Sequence, residues 1–240
     1  HWPRLALAAL LLVLALIPAA PAARAQAVTI RYAAPAAVGG DCLSWATACP
    51  LQTALAGAGI GAQIWVQAGV YTPGAVRSST FRLKDVVAIY GGFAGGETDL
   101  SQRNPAQNIT TLSGEIGAAG SEDNVIHVVT GSGTGGTAIL DGVTISGGYN
   151  FGYGDEYAGG GVYIVGGSPT LINVIIRDNW AAVGGGVYIE GGSLTLSNVT
   201  LHGNQALSGA GLLSVDSTLL LGSVTFSGNH AYLNGGGLYT

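Results

Sequence analysis

One feature narrows the folds open to this chain more than any other: a repeat of 25 residues. Gly159-Gly160-Gly161-Val162 returns as Gly184-Gly185-Gly186-Val187, as Gly209-Ala210-Gly211-Leu212 and as Gly235-Gly236-Gly237-Leu238, in steps of 25, 25 and 26 residues. A second marker keeps the same period, because Asn179, Asn204 and Asn229 each close a short strand, Val174-Ile175-Ile176, Val199-Thr200-Leu201 and Val224-Thr225-Phe226. Between the markers lies a third alternating stretch, for example Ser193-Leu194-Thr195-Leu196-Ser197. Each unit therefore carries three short strands of period two and three tight corners, with no room for a helix. Such a unit cannot bury its apolar face alone, but successive turns of chain can stack. The pattern predicts an all-β chain, a right-handed, single-stranded parallel β-helix.

Stacked coils lie about 4.8 Å apart, so equivalent residues form ladders along the axis. Val162, Val187, Leu212 and Leu238 are expected in one interior ladder, and Val174, Val199 and Val224 in another. The 41 glycines among 240 residues then have a place, in corners that need positive φ or no side chain. Asn179, Asn204 and Asn229 are expected to cap corners through their amides, a structural role rather than a catalytic one. Upstream, Ala138 to Gly148 fits the frame with Val143 matching Val174, an interval of 31, so about six residues must loop out after Gly148. Val125–Thr130, Val86–Tyr90 and Gln63–Val66 read as strands of earlier coils, which makes roughly seven coils in all. Pro50 to Ala56 reads as a short amphipathic helix that covers the open end of the stack, where bare strand edges invite another chain.

Residues 1–27 read as a secretory signal peptide: Arg4, an apolar run from Leu5 to Ile17, prolines at 18 and 21, and the small-x-small endings Ala23-Arg24-Ala25 and Ala25-Gln26-Ala27. Residues 28–122 then form the cap and irregular first coils, and 123–240 the regular ones. Two of the 8 basic residues lie in the leader, against 13 acids in the rest, so nucleic acid and anionic lipid are poor partners. In an exported chain the only cysteines, Cys42 and Cys49, favour a disulfide over two buried thiols or a metal pair. The expected state is a monomeric solenoid, extracellular or at the cell surface or outer membrane.

Gly-Gly-Gly-Val together with Phe226-Ser227-Gly228-Asn229 is similar to the repeat pair of the polymorphic outer-membrane proteins, in which Gly-Gly-x-aliphatic alternates with Phe-x-x-Asn. Ile176-Arg177-Asp178-Asn179 and Leu201-His202-Gly203-Asn204 depart from that pattern at the phenylalanine. The N-terminal half resembles the lead-in of large exported pectin-lyase-like β-helix proteins, through Ser44-Trp45-Ala46, Ile64 to Tyr71, Ile89 to Gly95 and Ser101-Gln102-Arg103-Asn104-Pro105. The resemblance implies the fold, while its members include lyases, hydrolases, adhesins and passenger domains.

The period tests for chemistry. Glu190 aligns with Val165 and Val215, Asp178 with Gly203 and Gly228, and Arg177 with His202 and Ser227, so the regular coils stack no acids that could hold calcium or act as acid and base. No cofactor or metal is expected. Gly131 to Gly136 satisfies G-x-G-x-x-G, but Thr137-Ala138-Ile139-Leu140 reads as strand where a dinucleotide site needs a helix. The irregular feature is the insertion Tyr149 to Tyr157. An overhanging loop gives concavity to an otherwise flat wall, so Tyr153, Asp155, Glu156 and Tyr157, with Asp178 and Trp180 one coil on, are the candidate ligand-binding residues. The expected function is a displayed or secreted scaffold for adhesion or for binding a polysaccharide or host glycan; the alternative is a polysaccharide lyase or glycoside hydrolase whose catalytic coils lie elsewhere.

Overall fold

The computed structural model describes residues 28–117, 120–151 and 157–240, so the leader expected over 1–27 lies outside the described residues. The chain winds into a stack of parallel strands. One wall has seven rungs: Ile30–Ala33, Gln63–Gln67, Ala88–Phe93, Ile139–Asp141, Thr170–Ile172 and the first halves of Ser193–His202 and Thr218–Ser227. A second wall holds Gly69–Tyr71, Thr110–Ser113, Thr144–Ser146, Ile175–Arg177 and the second halves of the same two long strands. A third runs Phe81–Arg82, Val129–Thr130, Val162–Val165, Val187–Glu190, Leu212–Val215 and Leu238–Tyr239. Every pairing is parallel, as a β-helix requires.

The interior ladders are those the period predicts. Val162 pairs with Val187, Val187 with Leu212 and Leu212 with Leu238. Val174 and Val199 are buried, and Val199 pairs with Val224. The step of 26 is absorbed by a bulge: Ala206 pairs with Ala231, but Ser208 pairs with Asn234. Within each glycine triplet the first residue has left-handed backbone (Gly184 φ 62, Gly209 φ 62), and the third lies under its equivalent one coil on. A Cβ on Gly186 would come 2.5 Å from the Gly211 carbonyl oxygen, so the stack excludes a side chain there.

The three asparagines form an internal ladder. Asn179 Nδ2 donates to Asn204 Oδ1 (3.0 Å) and Asn204 Nδ2 to Asn229 Oδ1 (3.0 Å), while the backbone N–H groups of Asn179 and Asn204 donate to the same two oxygens. Their amides also donate to carbonyls of the preceding strands, Ile176 and Leu201 among them.

Several expectations are corrected. The corner after Asn179 is extended enough to make a fourth, short strand per coil: Tyr149–Asn150, Trp180–Ala181, Gln205–Ser208 and His230–Asn234 pair in series. Only Val129–Thr130 of the expected strand Val125–Thr130 is regular, because the N–H groups of Val125, Ile126 and Val128 go to three different segments, at Gly114, Arg77 and Gly160. The strand expected from Val86 starts at Ala88; Val86 has φ 56 and its N–H donates to Thr137 Oγ1. Tyr149 and Asn150, expected in a loop, lie in register with Trp180 and Ala181 on the wall.

The helix α1 (Leu51–Gly57) forms where expected, with Leu51, Ala54 and Leu55 buried in the core and Lys84 Nζ donating to the Leu55 and Ala58 carbonyls at its C-terminus. Cys42 and Cys49 are joined in a disulfide. Gly131 to Gly136 is a corner leading into the strand Ile139–Asp141. No described helix is long and apolar enough to cross a membrane.

Candidate functional site

The second wall is a regular floor between two irregular rims. Its outward positions form two ladders, Thr111–Thr144–Ile175–Thr200–Thr225 and Ser113–Ser146–Arg177–His202–Ser227. The early coils carry extra length on either side of it. From Tyr71 to its partner Leu112 the chain takes 41 residues, and from Leu112 to Ile145 it takes 33, against 25 in the regular coils. The first excess includes the segment over residues 94–109, and the second the described stretches 114–117 and 120–124. Both stand proud of the wall and create the grooves beside it.

The larger groove, about 840 Å³, lies between residues 99–106 and the wall at Asn173–Ile175, Asn198 and Thr200. The overhanging segment is fixed by its own bonds. Asp99 caps the turn Leu100–Gln102 in a capping box, Asn104 Oδ1 accepts the N–H groups of Ala106 and Gln107, and the Asn104 N–H donates to the Gly92 carbonyl. Beneath it runs a chain of side-chain bonds, partly buried at Asp141 and exposed at Asn198. Arg103 donates to Asp141 Oδ2 (2.6 Å), Asn173 Nδ2 to Asp141 Oδ1 (2.9 Å), and Asn198 Nδ2 to Asn173 Oδ1 (2.7 Å). The Arg103 guanidinium also lies over the Tyr90 ring at 5.2 Å. Asn173 and Asn198, one coil apart, take left-handed backbone (φ 52 and 55), as a sharp corner requires.

The smaller groove, about 320 Å³, opens at the other edge of the same wall and brings Asp178 and Trp180 together with Tyr149, Asn124, Ser121 and Gln205. Trp180 is the hub. Tyr149 packs edge-on against its ring at 5.2 Å and Phe151 lies 4.9 Å away at a tilt. Arg77 holds the rim by donating to the Tyr149 carbonyl (3.1 Å) and to that of Glu122. Two buried polar atoms have no hydrogen-bond partner among the described residues here, the acceptor Asn124 Oδ1 and the donor Trp180 Nε1. Asn124 is 4% exposed, and its Nδ2 donates to the Gly147 carbonyl. Asp178 is exposed, paired with Arg177, and sits at φ 54 where the next coils have glycine.

Of the six residues that sequence reasoning singled out, Asp178 and Trp180 line this groove. Tyr157 lies one step further round the coil, its carbonyl accepting the Ala182 N–H (2.9 Å). Tyr153, Asp155 and Glu156 lie outside the described residues. Tyr149, Asn124 and the whole larger groove were missed. The more capacious groove lies under Asp99–Ala106, and the sequence signal for it is the stretch Ser101 to Pro105 falling between two strands far more than one period apart.

Among the described residues, no group of three or more His, Cys, Asp or Glu side chains is placed to hold a metal ion. Burial pushes the His127 imidazole below its ordinary value against the opposing bond to the Gly159 carbonyl, but its ring stacks on Tyr163 on the third wall, away from both grooves.

Residues 223–240 match the model of the Chlamydia polymorphic membrane protein repeat. That stretch contains Phe226-Ser227-Gly228-Asn229 and Gly235-Gly236-Gly237-Leu238, whose equivalents one coil earlier supply the asparagine ladder and the glycine corner. Neither a curated protein nor a solved structure matches the chain.

Proposed function

We propose that this chain is a surface-displayed β-helix that serves adhesion by binding a glycan in the groove beside Trp180. Display is supported by the repeat shared with polymorphic membrane proteins and by the exported character read in residues 1–27. The observation that carries the binding reading is the presence of Asn124 Oδ1 and Trp180 Nε1, a buried acceptor and a buried donor without partners among the described residues, on side chains that line one groove with aromatic rings. Leaving such groups unpaired costs about 1 to 3 kcal/mol each, so a ligand that satisfies both gains affinity from them. A sugar hydroxyl donates and accepts at once, and the faces of its ring suit Trp180 and Tyr149.

The test is binding to a glycan array by wild-type protein, Trp180→Phe and Trp180→Ala. Trp180→Phe keeps an aromatic ring against Tyr149 but loses the indole N–H, so it weakens binding about five- to tenfold. Trp180→Ala abolishes the signal with little change in thermal unfolding, since its ring packs on the groove rather than in the core. Array binding that both variants retain in full contradicts the assignment.

A further inference from the structure

The two grooves open at opposite ends of the same strands. The larger is lined by Ile175 and Thr200, the smaller by Asp178 and Gln205, and what separates them is the outward face of Arg177 and His202. At about 3.3 Å per residue, three extended residues cover roughly 10 Å, a span that a single sugar ring cannot bridge. The floor between is flat, since Ile175–Arg177, Thr200–His202 and Thr225–Ser227 pair in unbroken register.

We infer that the grooves are the two ends of one track across the wall, and that it takes an extended, uncharged oligosaccharide. This rests on the glycan reading above and names its ligand class. The arginines along the track are already paired, and its remaining carboxylate is hydrogen-bonded. Arg103 is bound to Asp141, Arg177 to Asp178, and the Asp99 carboxylate accepts the N–H and hydroxyl of Ser101. A polyanion finds no free cation among these residues, and the chain's net charge of −5 repels it. What the floor does offer is hydroxyls, from Thr200, Thr225 and Ser227, around the exposed aliphatic face of Ile175. That mixture suits the alternating polar edges and apolar faces of a ribbon-like, β-linked sugar chain.

The experiment titrates the full chain with cello-oligosaccharides and N-acetylchito-oligosaccharides from disaccharide to hexasaccharide, read by calorimetry. In one of the two series, affinity rises by about tenfold or more from disaccharide to hexasaccharide. Ile175→Asp and Thr200→Asp, both outward-facing, return the hexasaccharide to the affinity of the disaccharide and leave the disaccharide unchanged, whereas Trp180→Phe weakens both. Two positions are used so that instability of one variant does not decide the outcome, and thermal unfolding of each is compared with wild type. If length has no effect, or if both aspartate variants bind the hexasaccharide like wild type while Trp180→Phe still weakens the disaccharide, the track is refuted and the single groove stands. If acidic oligosaccharides such as oligogalacturonate bind and neither uncharged series does, the ligand class is refuted. If no sugar of any class binds, the glycan reading falls with it.

Discussion

Replacing Asn204 by alanine removes one link of the internal ladder, and the structure gives the size of the loss. Asn204 is fully buried. Its Oδ1 accepts from the Asn179 N–H (3.1 Å) and Asn179 Nδ2 (3.0 Å), and its Nδ2 donates to the Ile176 carbonyl (2.9 Å) and Asn229 Oδ1 (3.0 Å). Alanine leaves the Asn179 N–H and the Ile176 carbonyl without these partners in the interior, and Asn229 Oδ1 keeps only its bond from the Asn204 N–H. At about 1 to 3 kcal/mol for each of the two orphaned groups, the expected loss is roughly 2 to 6 kcal/mol, a large part of a typical domain's 5 to 15. Asn198→Gly is the matched control: Asn198 is also a corner asparagine, but its one side-chain bond is exposed and its φ of 55 suits glycine, so about 1 kcal/mol or less is expected. Urea unfolding at neutral pH followed by circular dichroism measures both, with an unchanged m-value showing that the same stack unfolds. Equal losses at the two sites, or a loss below about 1 kcal/mol for Asn204→Ala, would refute the claim that the ladder satisfies otherwise orphaned groups.

Three further outcomes are expected. Val187→Asp puts an unpaired charge in the interior and costs at least about 4 kcal/mol, whereas Thr200→Asp, on the outward face, costs about 1 or less; similar denaturation midpoints would show that the inward and outward assignment is wrong. Arg103→Ala leaves the nearly buried Asp141 carboxylate with only its Asn173 partner and costs about 3 to 5 kcal/mol by the same urea assay, and a loss within about 0.5 would show the pair to be dispensable. Burial pushes the Glu97 carboxyl up, but the N–H groups of Gly96, Ala94 and Gly95 outweigh it and hold the carboxyl below its ordinary value of 4.5. Its contribution to stability is therefore present above that value and lost as pH falls below it, so wild type loses its advantage over Glu97→Gln in acid; a constant difference from neutral pH to pH ~3 contradicts this.

The period carried most of the architecture. Spacing alone placed the Val187 and Val199 ladders, because side chains at matching positions of a stacked coil have no other place to go. It also placed the asparagines, whose amides are what a buried corner needs. Where coils are irregular the period is silent. Nothing local in Val125–Thr130 says that its backbone bonds scatter to Gly114, Arg77 and Gly160, since those partners are set by which insertion passes beside it. The candidate site divides in the same way. Trp180 and Asp178 were legible because they stand one coil from an evident insertion, and the disulfide because two cysteines lie close in a chain whose first residues read as a leader. Asp141 was not, because its importance comes from Arg103, which is 38 residues away and reaches it only once the segment over 94–109 folds across the wall.

The most direct test of the central claim, a glycan lying across the second wall, is hydrogen exchange with and without a saturating oligosaccharide identified by the titrations. The account predicts added protection in peptides covering Asp99–Ala106, Ser121–Asn124 and the edges of the wall at Asn173–Trp180 and Asn198–Gln205, with none on the third wall at Val162–Val165 or Val187–Glu190. Protection centred on the third wall, or spread evenly over the stack, would contradict it.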